Sequence, residues 1–549
     1  MTGEVSQIRA TLRHLWSDRR GAIAPMAAVA MIPLLISVGV AVDVGRLVAS
    51  RSSLQDATDA ANLALARMPA STTGAAMQAK AREWILANVT DAAIRNSLVV
   101  DVPQRTTGEI KLSTNGRMST SFSSLLGVSS MQVFGNSTVK YGTAHIELAL
   151  VLDNTGSMAQ NGKLDALKSA AKSLVKQLSD SARVSGDPNA LKIGVVPFSI
   201  AVNVGAQYQS SSWITGVQPT AYGADLFTSG SRDRFQYFSK MSTAWGGCVE
   251  SRPMPYDIQD TGATSANGAT MFTPFFAPDE PDDYQTSGST KYGYGNDYLT
   301  DDSGTAGKAW DADSGGGVLW WQKKQGEPGK YKTAPNKTQQ ALSPYPVGPN
   351  SGCGIAPLLR ITTDMTSVNS KLDAMVANGN THIPLGLIWG WHLLSPNTPF
   401  SDGVAYGTKG TVKIVVLVTD GENTYTTNAN NQICKNGSGS LYYCTPDTND
   451  SNYTGYGYKW QKRISTNGGD FSTPVQAMND RLGKLCANMI SQKIEMYTVP
   501  VQVSDANIKG LLKSCATGTD HYIDVADASG LDDAFSNIAG SISGLRVAH

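Results

Sequence analysis

Charge is scarce in this chain of 549 residues, and neither sign prevails. Asp, Glu, Lys and Arg make up 16% of it, and 45 basic residues balance 45 acidic ones. Typical soluble chains are about 25% charged. The missing basic excess excludes a nucleic-acid binder that works through phosphate contacts. The low charge also excludes disorder driven by self-repulsion. Catalytic signatures are missing too. The six histidines form no H-E-x-x-H pair, and neither a G-x-S-x-G elbow nor a G-x-x-x-x-G-K-[ST] loop occurs. The six cysteines contain no C-x-x-C pair, which removes the usual zinc-finger spacing. Internal repeats are absent.

What is present begins with size. A chain this long predicts two to four units at roughly 100–200 residues each. The apolar share of 41% is enough for a sizeable core. The 54 glycines, with Ser, Thr, Asn and Tyr, crowd into middle stretches. That texture predicts long loops and insertions rather than added core. The even cysteine count, without metal spacing, favours disulfides in an oxidising compartment, although six cysteines permit 15 pairings.

Residues 21–42 run for 22 positions without a charge. That length spans a hydrocarbon core of about 30 Å at 1.5 Å per residue. Arg9, Arg13, Arg19 and Arg20 precede it, opposed only by Glu4 and Asp18. The positive-inside rule then places the tail, 1–20, in the cytoplasm and the bulk outside it. A cleaved signal peptide has a shorter apolar region, of 7–15 residues, so an uncleaved single-pass anchor is expected. A helical period continues through Leu47, Leu54, Ala57, Ala61 and Leu65 as a stalk, and a second helix is expected over 75–88. β-like runs follow at 97–102, 109–113 and 130–141. Residues 43–143 therefore read as a helical stalk with a small α+β region.

From residue 144 strands and helices alternate. Strands are expected at 145–153, 191–202, 411–420, 493–503 and 521–525. Helices are expected over 163–178, 363–377, 383–394, 475–491, 507–514 and 531–542. This alternation predicts an α/β fold with a doubly wound, mostly parallel sheet over 144–549. Two stretches lack any sustained period, about 205–360 and 424–473, and read as large insertions. Ligands of such sheets sit outside the carboxyl ends of the strands. Three polar clusters fall there: Asp153-Asn154-Thr155-Gly156-Ser157, Asp420-Gly421-Glu422-Asn423, and Thr381-His382 before a helix with Pro384 in its first turn.

In order and placement these clusters resemble the von Willebrand factor type A domain. That family builds a metal-ion-dependent adhesion site from D-x-[ST]-x-S, a separate Thr, and an Asp after a later strand. The matching residues are Asp153, Thr155, Ser157, Thr381 and Asp420. The resemblance implies that the three hydroxyls bind Mg²⁺ or Mn²⁺ directly and that the two carboxylates hold metal-bound waters. An all-oxygen set suits such a hard cation. The open position would take a carboxylate from a protein partner. His382 is expected to be a structural residue at a helix start. Asp153 could alternatively accept a phosphoryl group in a Mg²⁺ hydrolase, with Glu422 as the second carboxylate.

The N-terminal segment carries a second resemblance. Arg-Arg-Gly before the span, Asp43-Val44-Gly45-Arg46 after it, and the run Leu54-Gln55-Asp56-Ala57 resemble TadG-type proteins of tight-adherence (Flp) pilus assembly. The resemblance implies a non-enzymatic binding or scaffold protein of the bacterial inner membrane. Its bulk would be periplasmic or surface-exposed, and its partners pilus-assembly or envelope components. A free-standing metal-dependent adhesin is the alternative.

Two smaller expectations concern the insertions. Cys248 and Cys353 lie in or beside the first and Cys434 and Cys444 in the second, while Cys486 and Cys515 sit on successive helices. Pairing in simple sequence order is therefore expected. The acids Asp279, Glu280, Asp282, Asp283, Asp301, Asp302, Asp311 and Asp313 offer oxygen ligands to Ca²⁺ but lack the EF-hand pattern, so a solvated acidic loop is expected.

Overall fold

The computed structural model describes residues 23–68, 72–106, 109–140, 144–183, 187–217, 227, 232–280, 285–287, 290–292, 296, 298–299, 325–326, 328–335, 348–425, 433–435, 441–443, 451–464 and 473–548. The expected tail (1–20), Cys444, and the acids Asp282, Asp283, Asp301, Asp302, Asp311 and Asp313 lie outside these residues. The chain divides into two compact units, Met1–Gly142 and Thr143–Arg183 with Asp187–Val547.

The first unit is built on one long helix, α1 (Ile23–Ala66), of 44 residues. At 1.5 Å per residue it is about 66 Å long, roughly twice a hydrocarbon core. It is long and apolar enough to cross a membrane. Helices α2 (Gly74–Asn88) and α3 (Ala92–Ser97) follow, both capped at the N-terminus by a side-chain oxygen, from Thr73 and Asp91. Strands β1 (Val99–Val100), β2 (Gln104–Thr106), β3 (Glu109–Ser119) and β4 (Ser130–Lys140) form an antiparallel sheet. The strand expected over 97–102 is cut to two residues, because the Asp91 cap starts a helix that runs through Ser97.

The polar half of α1 packs on this sheet through small residues. Leu54, Ala57, Ala61 and Leu65 recur on one face and are buried. The Thr58 hydroxyl meets that of Thr114 at 2.8 Å, and Asn62 Nδ2 donates to the Ile110 carbonyl at 3.1 Å. The Gln55 amide pairs with the backbone of Asn136 in both directions, at 2.8 and 3.0 Å.

In the second unit a five-stranded sheet has the order β7-β6-β5-β8-β9. These are β5 (His145–Asp153), β6 (Leu191–Phe198), β7 (Leu359–Thr362), β8 (Thr411–Thr419) and β9 (Glu495–Pro500). Four are mutually parallel, and β7 joins β6 antiparallel. This sheet is thus mostly parallel, as expected, with one antiparallel edge strand, and the sheets of the protein taken together are mixed. β7 was missed because four residues inside a long aperiodic stretch carry no strand signal.

Side chains alternate across the sheet, and each face has its own core. Ile146, Leu148, Leu150 and Leu152 of β5 pack with α4 (Lys163–Arg183), α5 (Met365–Asp373) and α9 (Leu531–Ala548). Ala149 and Val151 face the other way, toward α6 (Ile383–Leu394), α7 (Pro474–Ser491) and α8 (Ala506–Cys515). The strand expected over 521–525 is reduced to two isolated bridges, Tyr522 to Thr498 and Val525 to Val501.

The two stretches read as insertions are not mere loop. Trp213, Phe227, Tyr237, Phe272, Phe276, Tyr298 and Tyr331 from the first stretch are buried in the α6 side core. A buried network then joins the stretches. Glu250 pairs with Arg234 and with Arg463, whose Nη1 lies 2.7 Å away, and all three side chains are fully enclosed. Tyr453 donates its hydroxyl to the same carboxylate. Asp279 and Glu280 are also buried, which corrects the expectation of a solvated loop at these two positions. Asp279 is paired with Lys330 at 2.6 Å, and Glu280 accepts from the Asn296 backbone at 2.9 Å. Cys248 is bonded to Cys353 and Cys486 to Cys515. Removing one partner of a buried ion network costs about 3–5 kcal/mol. Glu250→Ala strands two guanidiniums and should cost this unit that much in urea unfolding. A loss below about 1 kcal/mol would refute the network's role.

Candidate functional site

Asp153 is the last residue of β5, and Asp420 follows the last residue of the adjacent strand β8. Parallel pairing in register therefore delivers both carboxylates to one edge of the sheet. Asp153 is wholly buried and both its oxygens are engaged. Oδ1 accepts the Thr155 backbone N–H at 2.8 Å, and Oδ2 accepts the Thr419 hydroxyl at 2.7 Å. Burial, and then the charge of Asp420, push its carboxyl from the ordinary 3.8 up to about 6.

One hydroxyl reaches Asp420, and a second reaches the first. Ser157 Oγ donates to Asp420 Oδ1 at 2.6 Å, and Thr155 Oγ1 lies 3.0 Å from Ser157 Oγ. Thr381 comes from a third loop. Its Oγ1 would lie 3.9 Å from a Cβ placed on Gly421, which sets it beside the Asp420 turn. All five residues expected at the site are thus brought to one place.

Backbone bonds hold the three loops together. Gly156 N–H donates to the Gly379 carbonyl at 2.8 Å, and Asn378 N–H to the Asn154 carbonyl at 2.6 Å. Thr381 N–H donates to Thr424 Oγ1 at 2.9 Å, while Thr424 N–H returns to the Thr381 carbonyl at 2.8 Å. Asn423 Oδ1 accepts the Ile383 N–H at 2.9 Å at the start of α6. His382 is enclosed, its ring stacked on Tyr425, and burial pushes it down to about 3. It is a neutral packing residue.

Sequence reasoning missed Lys163. Its ammonium forms a buried ion pair with Asp420 Oδ2. The signal was present, since Lys163 opens α4, and the start of a helix is where the macrodipole disfavours a cation. Glu422 is exposed and does not join the site. Among the described residues no group of three or more His, Cys, Asp or Glu is placed to hold a metal ion. A site of two carboxylates and three hydroxyls falls outside that pattern. Its donor set, all oxygen with a buried acid pair, fits a hard divalent cation. A cavity of about 110 Å³ adjoins it, lined by Asn378, Gly379 and Asn380, and by Glu280, Asn296 and Asn452. Asn378 Oδ1 is buried there without a hydrogen-bond partner among the described residues.

Residues 21–67 match the family model Tad, described as "Putative Flp pilus-assembly TadE/G-like". The N-terminal segment is TadE/G-like. No curated protein matches the chain. Solved structures similar to it include the pilus adhesin SpaC from Lactobacillus rhamnosus GG, at 12% identity over 81% of this chain with a TM-score of 0.30. This chain covers 34% of SpaC. The vWF domain of the type V pili tip protein Mfa5 from Porphyromonas gingivalis matches at 11% identity, with 73% of this chain and 96% of that one covered and a TM-score of 0.33. RrgA from Streptococcus pneumoniae matches at 10%, with 81% and 49% covered and a TM-score of 0.30. TM-scores this low transfer no function.

The raised Asp153 carboxyl has a stability consequence. Below pH about 4 it is protonated in both folded and unfolded chains. Between 4 and 6 the unfolded chain releases the proton and the folded one keeps it, so folded-state stability falls as pH rises. The rise from 3.8 to about 6 corresponds to about 3 kcal/mol at 1.36 per unit. In EDTA, Asp153→Asn should gain on the wild type as pH rises from 4 to 7. A stability difference independent of pH would contradict this.

Proposed function

We propose that the second unit is a von Willebrand factor A-like, doubly wound domain whose adhesion site binds Mg²⁺ or Mn²⁺, and that the protein supports assembly or anchoring of a Flp-type pilus. The observation that carries the metal reading is the buried Asp153–Asp420 pair ringed by three hydroxyls. Like charges held out of water require a cation or a proton; the Lys163 ammonium answers for Asp420, and the Asp153 carboxyl, raised to about 6, has no cation of its own among the described contacts. Ser157, Thr155 and Thr381 would hold the ion, with Asp153 and Asp420 on its waters. When bound, the ion supplies an electrophilic open position for a carboxylate of a protein partner. The neighbouring cavity, lined by four asparagines and by Glu280 among others, would receive the partner's adjacent groups.

The TadE/G-like segment and its apolar helix support a membrane-anchored, pilus-associated role. The arginines before residue 21 support an outward-facing bulk, and the disulfides support an oxidising compartment. A free-standing adhesin shares the site and differs in its partner. The hydrolase reading gains Lys163, since phosphoryl-accepting sites pair an aspartate with a lysine. It is opposed by the burial of Asp153, which is enclosed and leaves a phosphate no open approach.

Saturating Mg²⁺, at 100 times its dissociation constant, should stabilise the protein by about 2.7 kcal/mol. That is a rise of a few degrees in melting temperature for a domain this large. Asp420→Ala should abolish the rise. Lys163→Met removes a competing positive charge and should tighten Mg²⁺ at least about tenfold, or 1.4 kcal/mol. No shift with either Mg²⁺ or Mn²⁺ would sink the metal reading.

A further inference from the structure

The turn between β3 and β4 presents a cluster of apolar side chains that the other described residues of the first unit leave largely uncovered. Phe122 is 45% exposed, Leu125 76%, Leu126 57% and Val128 44%. Four such residues on one tip would form an unfavourable patch in water. Their position gives the explanation. Asp43 of α1 accepts the backbone N–H groups of Ser121, Phe122 and Ser123 at 3.0, 2.8 and 2.6 Å. Arg46 donates to Ser121 Oγ at 2.7 Å. One turn further along the helix, Gly39 receives the Phe122 ring. A Cβ at Gly39 would stand 2.6 Å from Phe122 Cβ, so only glycine admits this contact.

Gly39 lies inside the uncharged run 21–42, and its helical neighbours Leu34, Leu35, Val38 and Val42 are exposed. The turn is therefore fixed at the level where the apolar segment ends, reaching about 6 Å back along it at 1.5 Å per residue. Interfacial apolar groups sit at about 5–10 Å into the headgroup and acyl boundary.

Much of the backbone of this turn is satisfied within the protein, which lowers the cost of leaving water. Besides the three N–H groups taken by Asp43, Leu125 N–H donates to Phe122, Gly127 to Ser124 and Val128 to Ser123, at 3.0, 3.0 and 3.1 Å. Thr120 N–H donates to the Ser129 carbonyl at 3.2 Å.

We propose that the 121–128 turn is a second membrane contact, seated in the lipid interface beside α1 and clamped there by Asp43. The anchor is then a helix with a lateral foot, which fixes both its depth and its rotation. The proposal rests on α1 crossing the membrane, and the test separates the two. Nitroxide labels would be placed at Leu125→Cys and Leu126→Cys in the full chain, reconstituted in phosphatidylcholine–phosphatidylglycerol vesicles with the native disulfides kept oxidised. Control labels go at Leu35→Cys and Lys111→Cys.

Positions 125 and 126 should be relaxed by oxygen and shielded from a water-soluble nickel chelate, at a shallower depth than 35. Position 111 should show the reverse. Nickel access at 125 and 126 equal to that at 111, with 35 still in lipid, would overturn the foot alone. Shielding from both reagents would mean a protein cover and would also overturn it. Nickel access at 35 would overturn the membrane span and the foot together. Asp43→Asn should release the turn, so that 126 gains nickel access while 35 does not. Unchanged depth at 126 would refute the clamp.

Discussion

Two carboxylates at the ends of neighbouring parallel strands are the constraint on which the second unit turns. Parallel register makes Asp153 and Asp420 meet, and burial forbids both from standing charged without help. The surrounding groups each answer to that. Thr419 and the Thr155 backbone donate to Asp153, while Ser157 and Lys163 donate to Asp420. Lys163 is the unusual member. It lets the site keep its shape without a metal, and it sets a charge against which any metal must bind. If the proposed metal binds there, it binds more weakly than it would without the lysine, at a site already assembled.

The same edge of the sheet explains why the insertions are held so firmly. The loop that carries Thr381 begins at the wall of a cavity whose other walls come from both insertions. The Glu250 network ties those insertions to each other. A partner approaching the proposed metal would meet a built surface in which asparagines stand beside Glu280 and Tyr453.

Much of this was legible in the sequence because it rests on periodicity and strand ends. The run ending at Asp153, the run ending at Asp420 and the proline-started helix after Thr381 each announced their place. The charge-free span and the motif around Asp43 did the same for the first unit. Other features were hidden for physical reasons. The edge strand Leu359–Thr362 is too short to show alternation. Asp279 and Glu280 looked solvated because their burial depends on Lys330, Tyr458 and Asn296, which are distant in sequence. Lys163 was passed over because an N-terminal lysine on an amphipathic helix reads as a solvated surface residue. Asp43 read as the polar end of a membrane span, and only its three backbone bonds reveal a clamp.

The most direct test of the central claim is anomalous scattering from Mn²⁺ in crystals of the full chain grown with saturating metal. The account predicts a peak within coordinating reach of Ser157 and Thr381, with Asp153 and Asp420 beside it. Saturating Mn²⁺ with no peak there, and Lys163 still paired to Asp420, would contradict it.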